Sequence, residues 1–296
     1  RTSPFRSGAR LNPKLRAWAE PRCSLVDTGL IERFSATWPA AFGDMCRYPI
    51  LTGGKRMRPL LVFAAYEATS SQPEVLEPAI APALAIELIH TYSLVHDDLP
   101  CMDDDSERRG KPTVHVQFGE GPAVLVGDTL LTEAFSVLAT ADTLDANTRL
   151  SLIQATAKAA GHLGMIGGQA ADLGLGGAIS DAETLTRLHR AKTGALIQTA
   201  CTMGAMAAGA SPQQIDSLTR FGNAIGLAFQ LADDLLDLEQ DSGEDGPPSF
   251  PALLGVEETQ RRAENLRKEA MSELEDIGLC DGPLNELAQY TLERTL

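Results

Sequence analysis

The sequence has few aromatic residues and little strand-like patterning. Phe, Trp and Tyr make up 5% of the 296 residues, and the β-branched residues occur only in short runs. Both features disfavour a β-sandwich or a β-barrel. No repeat with a period of about 20–50 residues is present, which argues against a solenoid. These absences leave a helical protein as the simplest interpretation.

Basic residues and paired cysteines are also scarce. The 25 Lys and Arg stand against 40 Asp and Glu, giving a net charge of −15, which argues against a nucleic-acid partner. The five cysteines include no CxxC pair, as expected for reduced thiols and a cytoplasmic location. The uncharged stretch 193–215 is rich in Gly, Ala, Thr and Gln. It predicts a buried helix, so we expect no membrane span.

Residues 1–20 differ from the rest of the chain. Five basic residues and no acid occur in 1–19. Two interpretations are open: a flexible N-terminus, or the remnant of an organellar targeting segment. We expect residues 21–296 to form the folded domain.

Helix-like apolar patterning covers most of that domain. Gly, Pro and capping residues divide it into segments and predict one all-α domain of about ten helices. The clearest predicted helices are Ala81–His96, Pro122–Ala139, Leu150–Gly164, Ala182–Ala208, Pro212–Leu238 and Glu257–Leu274.

An acidic edge lies on the helix predicted for 212–238. Asp233 and Asp237 are one helical turn apart, and Gln230 lies about one turn before them, on an otherwise apolar segment. No Lys or Arg lies four residues away to pair with these acids. A metal site and a solvated helix face are the two interpretations, and the unpaired charge favours the metal site.

A second acidic cluster follows the helix predicted for 81–96. Pro100 cannot continue that helix, so Asp97 and Asp98 close it and Asp103–Asp105 lie on the following turn. Arg108 and Arg109 come next, and guanidinium groups suit bidentate contacts with phosphate. Carboxylates followed by arginines predict a site that clamps Mg²⁺ and a diphosphate together.

A basic, glycine-rich segment, GGKRMRP, occupies residues 53–59. Gly54 permits close backbone approach to an anion, while Lys55 and Arg58 supply positive charge. Taken alone, the segment is weak evidence, because a basic turn before a helix is common.

Together these elements resemble the trans-isoprenyl diphosphate synthases, the short-chain prenyltransferases. The matching stretches, in the family's order, are GGKRMRP, LIHTYSLVHDDLPCMDDDSERRGKPTVH, GDTLL, GMIGGQAADL, HRAKTGAL and FQLADDLLD. The resemblance implies a single-domain helical bundle around a central cavity. It further implies a homodimer that condenses isopentenyl diphosphate with an allylic diphosphate, dimethylallyl or geranyl.

The resemblance also assigns roles to residues. Three Mg²⁺ ions are implied, with Mn²⁺ as a possible substitute, held by Asp97, Asp103 and Asp233 with help from Asp98 and Asp237. Arg108 and Lys192 would hold the allylic diphosphate, and Thr193 and Gln230 would lie beside the reacting carbons. The isopentenyl diphosphate would be bound by Lys55, Arg58, His90 and Arg109, with Gly54 in the same loop, and Gln169 and Asp172 would support the site. A core histidine remains the alternative for His90, and His96 is interpreted as structural.

Product length is expected to depend on Tyr92, five residues before the first aspartate, with Ser93 beside it. In this family a bulky residue there blocks further growth of the chain, so the resemblance implies farnesyl diphosphate, of the bacterial type. Geranylgeranyl diphosphate is the alternative product. If Tyr92 is only a core residue, another side chain sets product length.

The sequence departs from the family in one place. The family follows its second aspartate cluster with a lysine-containing loop, but no Lys or Arg occurs between Asp233 and Gln260. Either the loop is truly shortened here, or part of it is missing from this sequence. A shortened loop would favour a non-catalytic subunit on the same scaffold. A terpene cyclase is disfavoured by the second aspartate cluster and by GGKRMRP.

Overall fold

The computed structural model describes residues 12–238 and 248–292, with the backbone alone at 237–238 and 291–292. The first helices are α1 (Pro13–Arg33), α2 (Ala40–Leu51), α3 (Met57–Thr69), α4 (Glu77–Asp97), α5 (Val114–Phe118), α6 (Glu120–Ala139) and α7 (Ala146–Ala160). They are followed by α8 (Met165–Asp172), α9 (Ala182–His189), α10 (Ala195–Ala207), α11 (Pro212–Leu238), α12 (Phe250–Leu254), α13 (Val256–Glu275) and α14 (Pro283–Leu292). Strands β1 (Glu107–Arg108) and β2 (Lys111–Pro112) form a short antiparallel ribbon. The predicted all-α fold class is confirmed.

Helix α4 lies at the centre of the core. It packs against α3, α6 and α10, and α10 packs in turn against α11. Ala83, Ile86, Leu88 and Ile89 of α4 have no exposed surface. A helix that is apolar on every side is stable only when other helices surround it. The acidic end of α4 therefore emerges directly from the core.

Most of the predicted helices are confirmed, with small shifts at their ends. The exception is Leu150–Gly164, because α7 ends at Ala160 and a tight turn precedes α8. A Cβ atom at Gly164 would lie 2.0 Å from the Ala159 carbonyl oxygen, so the turn requires glycine. The small apolar residues around it concealed the break. Several short helices raise the number above the predicted ten among the described residues.

The helix predicted for 182–208 is interrupted by a widened turn. Residues Arg190–Gly194 form a π-helical turn between α9 and α10. Close packing holds this turn in place. A Cβ at Gly168 of α8 would lie 2.3 Å from the Lys192 nitrogen, and one at Gly226 of α11 would lie 2.9 Å from the Gly194 Cα. The π-turn is thus pressed between α8 and α11, and such turns are frequent at functional sites.

The N-terminal region differs from the prediction. Helix α1 begins at Pro13, so residues 13–20 are helical rather than flexible, and Leu15 is buried. The Asn12 side chain accepts a hydrogen bond from the Leu15 N–H at 2.8 Å and caps the helix. Trp18 and Arg22 both donate to Glu67 of α3, at 2.8 and 2.6 Å. These contacts join α1 to the bundle; residues 1–11 lie outside the described part.

Two of the described helices, α4 and α6, are long and apolar enough to cross a membrane by length and composition. In α4 the apolar stretch is 72% buried within the protein, as in the core helix of a bundle, whereas in α6 it is 39% buried. Residues 193–215, singled out by the sequence, instead form the end of the π-turn, α10 and the start of α11.

Candidate active site

The acidic end of α4 is a compact turn that the backbone closes on itself. The Asp103 N–H donates to the Asp97 carbonyl at 2.9 Å, and the Asp104 N–H donates to the Leu99 carbonyl at 3.2 Å. Asp104 adopts a left-handed conformation, with φ of 55°, which aspartate tolerates. The turn places Asp97 and Asp103 near each other. Helix α4 ends at Asp97, as Pro100 predicted.

Burial governs the charge state of these acids. It raises the pKa of Asp97 to about 6, opposed mainly by the Lys192 ammonium, while the neighbouring Asp103 carboxylate raises it further. Burial also raises the pKa of Asp98, opposed by Arg108. A carboxylate in this position is stabilised by any cation that approaches it.

Arg108 and Arg109 are presented by the short ribbon. The two residues between the strands, Arg109 and Gly110, have φ of 56° and 75°, the conformation of a type I′ turn. The Arg108 Nε donates to Asp98 at 2.7 Å, and its Nη2 lies 3.1 Å from Asp105. Arg108 is therefore held beside the acidic turn, as its predicted role requires.

Arg109 turns away from its neighbour toward the GGKRMRP loop. It donates to the Gly53 carbonyl oxygen. A Cβ at Gly54 would lie 2.7 Å from the Arg109 guanidinium, so glycine makes this approach possible. The structure therefore shows a cation against Gly54, and the predicted close approach of an anion there stays a prediction.

A basic cluster forms around His90. Burial lowers the pKa of His90 well below its ordinary value, and the Arg58 and Arg109 guanidinium groups lower it further. The Arg58 Nε is buried and has no hydrogen-bond partner among the described residues. Lys55 lies in the same loop. The structure brings Arg58 and Arg109 close to His90. Their predicted role in binding one diphosphate, and the alternative of a core histidine for His90, both stay predictions.

Two residues that the sequence did not single out support this cluster. Glu87, 2% exposed, lies one turn before His90 on α4 and accepts from Arg56 at 2.9 Å. Arg56, 4% exposed, also donates to Asp27 at 2.7 Å and to the Ile50 carbonyl at 2.8 Å. Arg56 is thus a buried structural residue of GGKRMRP rather than a surface cation. The sequence offered one signal, an acid in the middle of a helix predicted to be apolar.

The π-turn carries Lys192 and Thr193 into the same region. Lys192 pairs with Asp172 and is close enough to Asp97 to oppose its rise in pKa. Gln169, on α8, is 9% exposed, and neither atom of its amide group has a partner within the described residues. A buried amide whose polar atoms are both unsatisfied fits a role in holding a polar ligand.

Thr193 also joins the π-turn to the second acidic cluster. Its hydroxyl donates to the Gln230 carbonyl oxygen at 3.3 Å, and the Gln230 amide nitrogen donates to Asp234 at 3.1 Å. Asp234, buried and absent from the predicted ligands, also accepts from the Phe250 N–H at 2.9 Å. Asp233 is half-buried on the same helix. The Asp237 side chain and the lysine-free segment 239–247 lie outside the described residues, so those predictions stay untested.

Tyr92 lies buried beside this site. Burial raises the pKa of its hydroxyl to about 12, with a further contribution from Asp97, and the hydroxyl has no partner among the described residues. Its ring meets His96 edge-on, with centroids 5.8 Å apart. The His96 ring packs against Gly127, where a Cβ atom would lie 2.0 Å from the His96 Nε2. The same Nε2 lies 3.1 Å from the Val124 carbonyl oxygen. His96 is therefore structural, as predicted, while the Ser93 hydroxyl donates to the His90 carbonyl oxygen at 2.9 Å.

The aspartates of the two acidic clusters can be compared with the ligands that Mg²⁺ prefers. No group of three or more Asp, Glu, His or Cys side chains among the described residues is arranged to hold an ion by itself. Mg²⁺ commonly takes one or two protein carboxylates and completes its shell with phosphate oxygens and water. The exposed Asp103 and the half-buried Asp97 and Asp233 fit that mode of binding.

Comparisons with known proteins identify the family of this chain. Residues 39–276 match the polyprenyl synthetase family. The chain belongs to that family. It is a trans-prenyltransferase, as the motifs predicted.

Its relatives cover most of its length. It is 43% identical over 267 residues to the farnesyl diphosphate synthase of Escherichia coli, covering 85% of this chain and 88% of that protein. It is 38% identical to the large subunit 1 of the heterodimeric geranylgeranyl pyrophosphate synthase of Arabidopsis thaliana, over 92% of this chain and 77% of that protein. The crystal structure of an FPP/GFPP synthase from Zymomonas mobilis superposes with a TM-score of 0.86 at 38% identity, covering 94% and 99% of the two chains.

Replacing Arg56 with methionine is expected to destabilise this polyprenyl synthetase by about 3–5 kcal/mol, because it leaves Glu87 buried without a partner. The control is Arg220→Met, which removes a half-exposed arginine paired with Asp216 and Glu273 and is expected to cost less than about 1 kcal/mol. Urea denaturation measures both. Equal losses in the two variants would contradict the role given to Arg56.

The His90 ring is expected to stay neutral well below the ordinary histidine pKa of about 6.5. Protonation in the folded state is opposed by burial and by the arginines, whereas the unfolded chain protonates normally. His90 therefore stabilises the fold above about pH 6.5, and this contribution falls as the pH drops. NMR of the histidine rings, with His90→Gln to assign the signal, checks this. A His90 signal that titrates at the ordinary value would contradict it.

Proposed function

We propose that this protein condenses isopentenyl diphosphate with dimethylallyl and then geranyl diphosphate to make farnesyl diphosphate. The observation that carries the proposal is the placement of His90 and Asp97 on one helix. Seven residues separate them, which is two turns of α4, so both point to the same side about 10 Å apart along the axis. One end of this face meets the basic cluster and the other the acidic turn, as two diphosphates side by side require.

The first step breaks the allylic carbon–oxygen bond, and the diphosphate leaves with the electron pair. Arg108 and Lys192 stabilise the charge that develops on it, because fixed cations in a poorly solvated site need no reorganisation. Asp97, Asp103 and Asp233 would hold Mg²⁺, which when bound supplies further charge stabilisation to the leaving group. Asp98 assists by holding Arg108 in place.

The second step joins the two substrates. The Arg58, Arg109, Lys55 and His90 cluster holds the isopentenyl diphosphate so that its double bond attacks the allylic cation and forms the new carbon–carbon bond. The Thr193 hydroxyl and the Gln230 carbonyl oxygen present negative dipole ends to the cation without attacking it. The released diphosphate then takes the proton whose loss forms the new double bond, so no histidine or glutamate base is needed.

Farnesyl diphosphate is proposed as the product because the Tyr92 ring is buried and braced by His96, which leaves it little freedom to move aside. The identity of 41–43% to bacterial farnesyl diphosphate synthases supports this choice. The 38–41% identity to plant geranylgeranyl pyrophosphate synthases keeps that product as the second candidate. A non-catalytic subunit is disfavoured by the arrangement of Lys192, Thr193 and Gln230.

A homodimer is proposed because α6 is apolar on a face that the monomer does not cover. Val124 and Leu125 are 41% and 57% exposed, and Val116 of the adjacent α5 is 52% exposed. Contiguous exposed apolar side chains of this kind mark protein interfaces. A cytoplasmic location is proposed from the free cysteines of the described residues. A targeting remnant within residues 1–19 is the alternative.

Product analysis tests the proposed function directly. We expect purified protein with Mg²⁺, dimethylallyl diphosphate and isopentenyl diphosphate to yield farnesyl diphosphate, and the Asp97→Asn variant to yield little product. Chelation of the metal is expected to stop the reaction. Geranylgeranyl diphosphate as the main product would overturn the chain-length proposal and leave the enzyme class intact. No condensation by folded protein would favour the non-catalytic subunit.

Tyr92→Ala is expected to shift the main product beyond fifteen carbons, because removal of the ring opens space beside the site. The matched control is Tyr92→Phe, which keeps the ring and deletes the unpartnered hydroxyl. It should retain the product of the unaltered protein with unchanged or higher stability, since an unsatisfied buried hydroxyl is unfavourable. Chromatography of the dephosphorylated products measures both. An unchanged product from Tyr92→Ala would show that another residue sets chain length.

A further inference from the structure

Asp234 is the buried member of the second acidic cluster. It is 8% exposed, whereas its neighbour Asp233 is half-buried. One of its oxygens, Oδ1, accepts from the Gln230 amide nitrogen at 3.1 Å, and Oδ2 accepts from the Phe250 N–H at 2.9 Å. Both oxygens are thus engaged with protein donors, which leaves Asp234 poorly suited to be a metal ligand.

The carboxylate fixes which way the Gln230 amide faces. An ionised carboxylate only accepts hydrogen bonds, so the NH₂ group of Gln230 must point toward Asp234. The Gln230 carbonyl oxygen then points the other way, toward the Thr193 hydroxyl at 3.3 Å. The orientation of the amide thus follows from the chemistry of its partners. Residues 230 and 234 lie one turn apart on α11, where such a contact is readily made.

We propose that Asp234 is a positioning residue for the reaction, holding the Gln230 amide with its oxygen toward the allylic cation. The inference rests on the proposed function, in which the Gln230 oxygen stabilises that cation. Reversal of the amide would present its NH₂ group, the positive end of the dipole, to a developing positive charge. Asp234 therefore contributes to the rate without touching the substrate.

The second contact of Asp234 extends the same constraint to α12. Phe250 begins α12, is 1% exposed and stacks at a tilt on the His189 ring, with centroids 5.5 Å apart. His189 is the last residue before the π-turn that carries Thr193. Asp234 thus joins α11 to α12 and, through the Phe250 and His189 rings, to the π-turn. The same carboxylate therefore orients the Gln230 amide and helps to position Thr193, the other hydrogen-bond partner of Gln230.

Asp234→Asn is a sharp test because the substituted side chain can keep every hydrogen bond. The asparagine oxygen can accept from the Phe250 N–H while its NH₂ group donates to Gln230, provided that the Gln230 amide reverses. We expect normal thermal stability but a kcat lower by about 10²-fold. The KM values and the Mg²⁺ concentration for half-maximal activity should stay within about twofold.

The double variant Gln230→Glu/Asp234→Asn restores the arrangement with donor and acceptor exchanged. The carboxylate introduced by Gln230→Glu accepts from the asparagine NH₂ group and again presents an oxygen to Thr193, at the same net charge. We expect the kcat of the double variant to exceed that of Asp234→Asn by at least about tenfold, which is the coupling expected of two residues in one network. Because this variant carries the same asparagine, a recovery cannot arise from repair of a general folding defect.

Two controls complete the experiment. Asp216→Asn changes an exposed carboxylate on the same helix and should leave kcat unchanged. Asp233→Asn should raise the Mg²⁺ requirement. An unchanged kcat in Asp234→Asn, a shift in its Mg²⁺ requirement like that of Asp233→Asn, or no recovery in the double variant would each overturn the inference. Absence of condensation by the unaltered protein would instead overturn the proposed function.

Discussion

The buried Glu87 carboxylate is the interaction on which the diphosphate-binding end of the molecule depends. It lies in the middle of α4, accepts from Arg56 at 2.9 Å and acts electrostatically on Arg58 and Arg109. Without it, the arginines gathered around His90 would repel one another in a poorly solvated region. The Glu87 carboxylate therefore allows several arginines to lie close together around His90, where the proposed function places a diphosphate. Arg56 also donates to the Asp27 carboxylate and to the backbone carbonyls of Gly53 and Ile50, so the pair helps to fix the loop that carries Lys55.

The site as a whole follows from where the helices end. Helix α4 passes through the core as a mostly apolar helix, and its buried acid in the middle, Glu87, is paired with Arg56. The aspartates of the site follow at the last turn of α4 and just after it. The ribbon after it returns Arg108 to the same turn. The π-turn, pressed between α8 and α11 by glycines, supplies Lys192 from the other side. Separate segments thus meet at one end of the bundle, while the rest of each helix supplies packing.

The fold class could be predicted because it depends on local patterns, whereas the roles of most site residues came from the resemblance to the family and stay predictions. Apolar periodicity located the long helices, Pro100 located the end of α4, and single-sign charge on α11 located the second cluster. The direction in which each side chain points was harder to predict. Arg56 and Arg58 lie two residues apart, yet Arg56 points into the core and pairs with Glu87, whereas Arg58 lies close to His90. Arg56 adopts a left-handed conformation with φ of 51° at the start of α3. Asp233 and Asp234 are likewise adjacent, and only tertiary packing distinguishes the half-buried Asp233, the proposed metal ligand, from the buried Asp234.

The same packing explains why the two ends of the substrate are treated so differently. At the diphosphate end, charged pairs such as Arg108 with Asp98 hold each other, and an incoming diphosphate can share or exchange them at little cost. At the hydrocarbon end, Tyr92 is fixed by an apolar contact with His96, and His96 is fixed in turn by its packing against Gly127 on α6. Close-packed contacts of this kind are not deformable in small steps. Under the proposed function, diphosphate recognition would rest on exchangeable polar contacts and product length on rigid packing between α4 and α6.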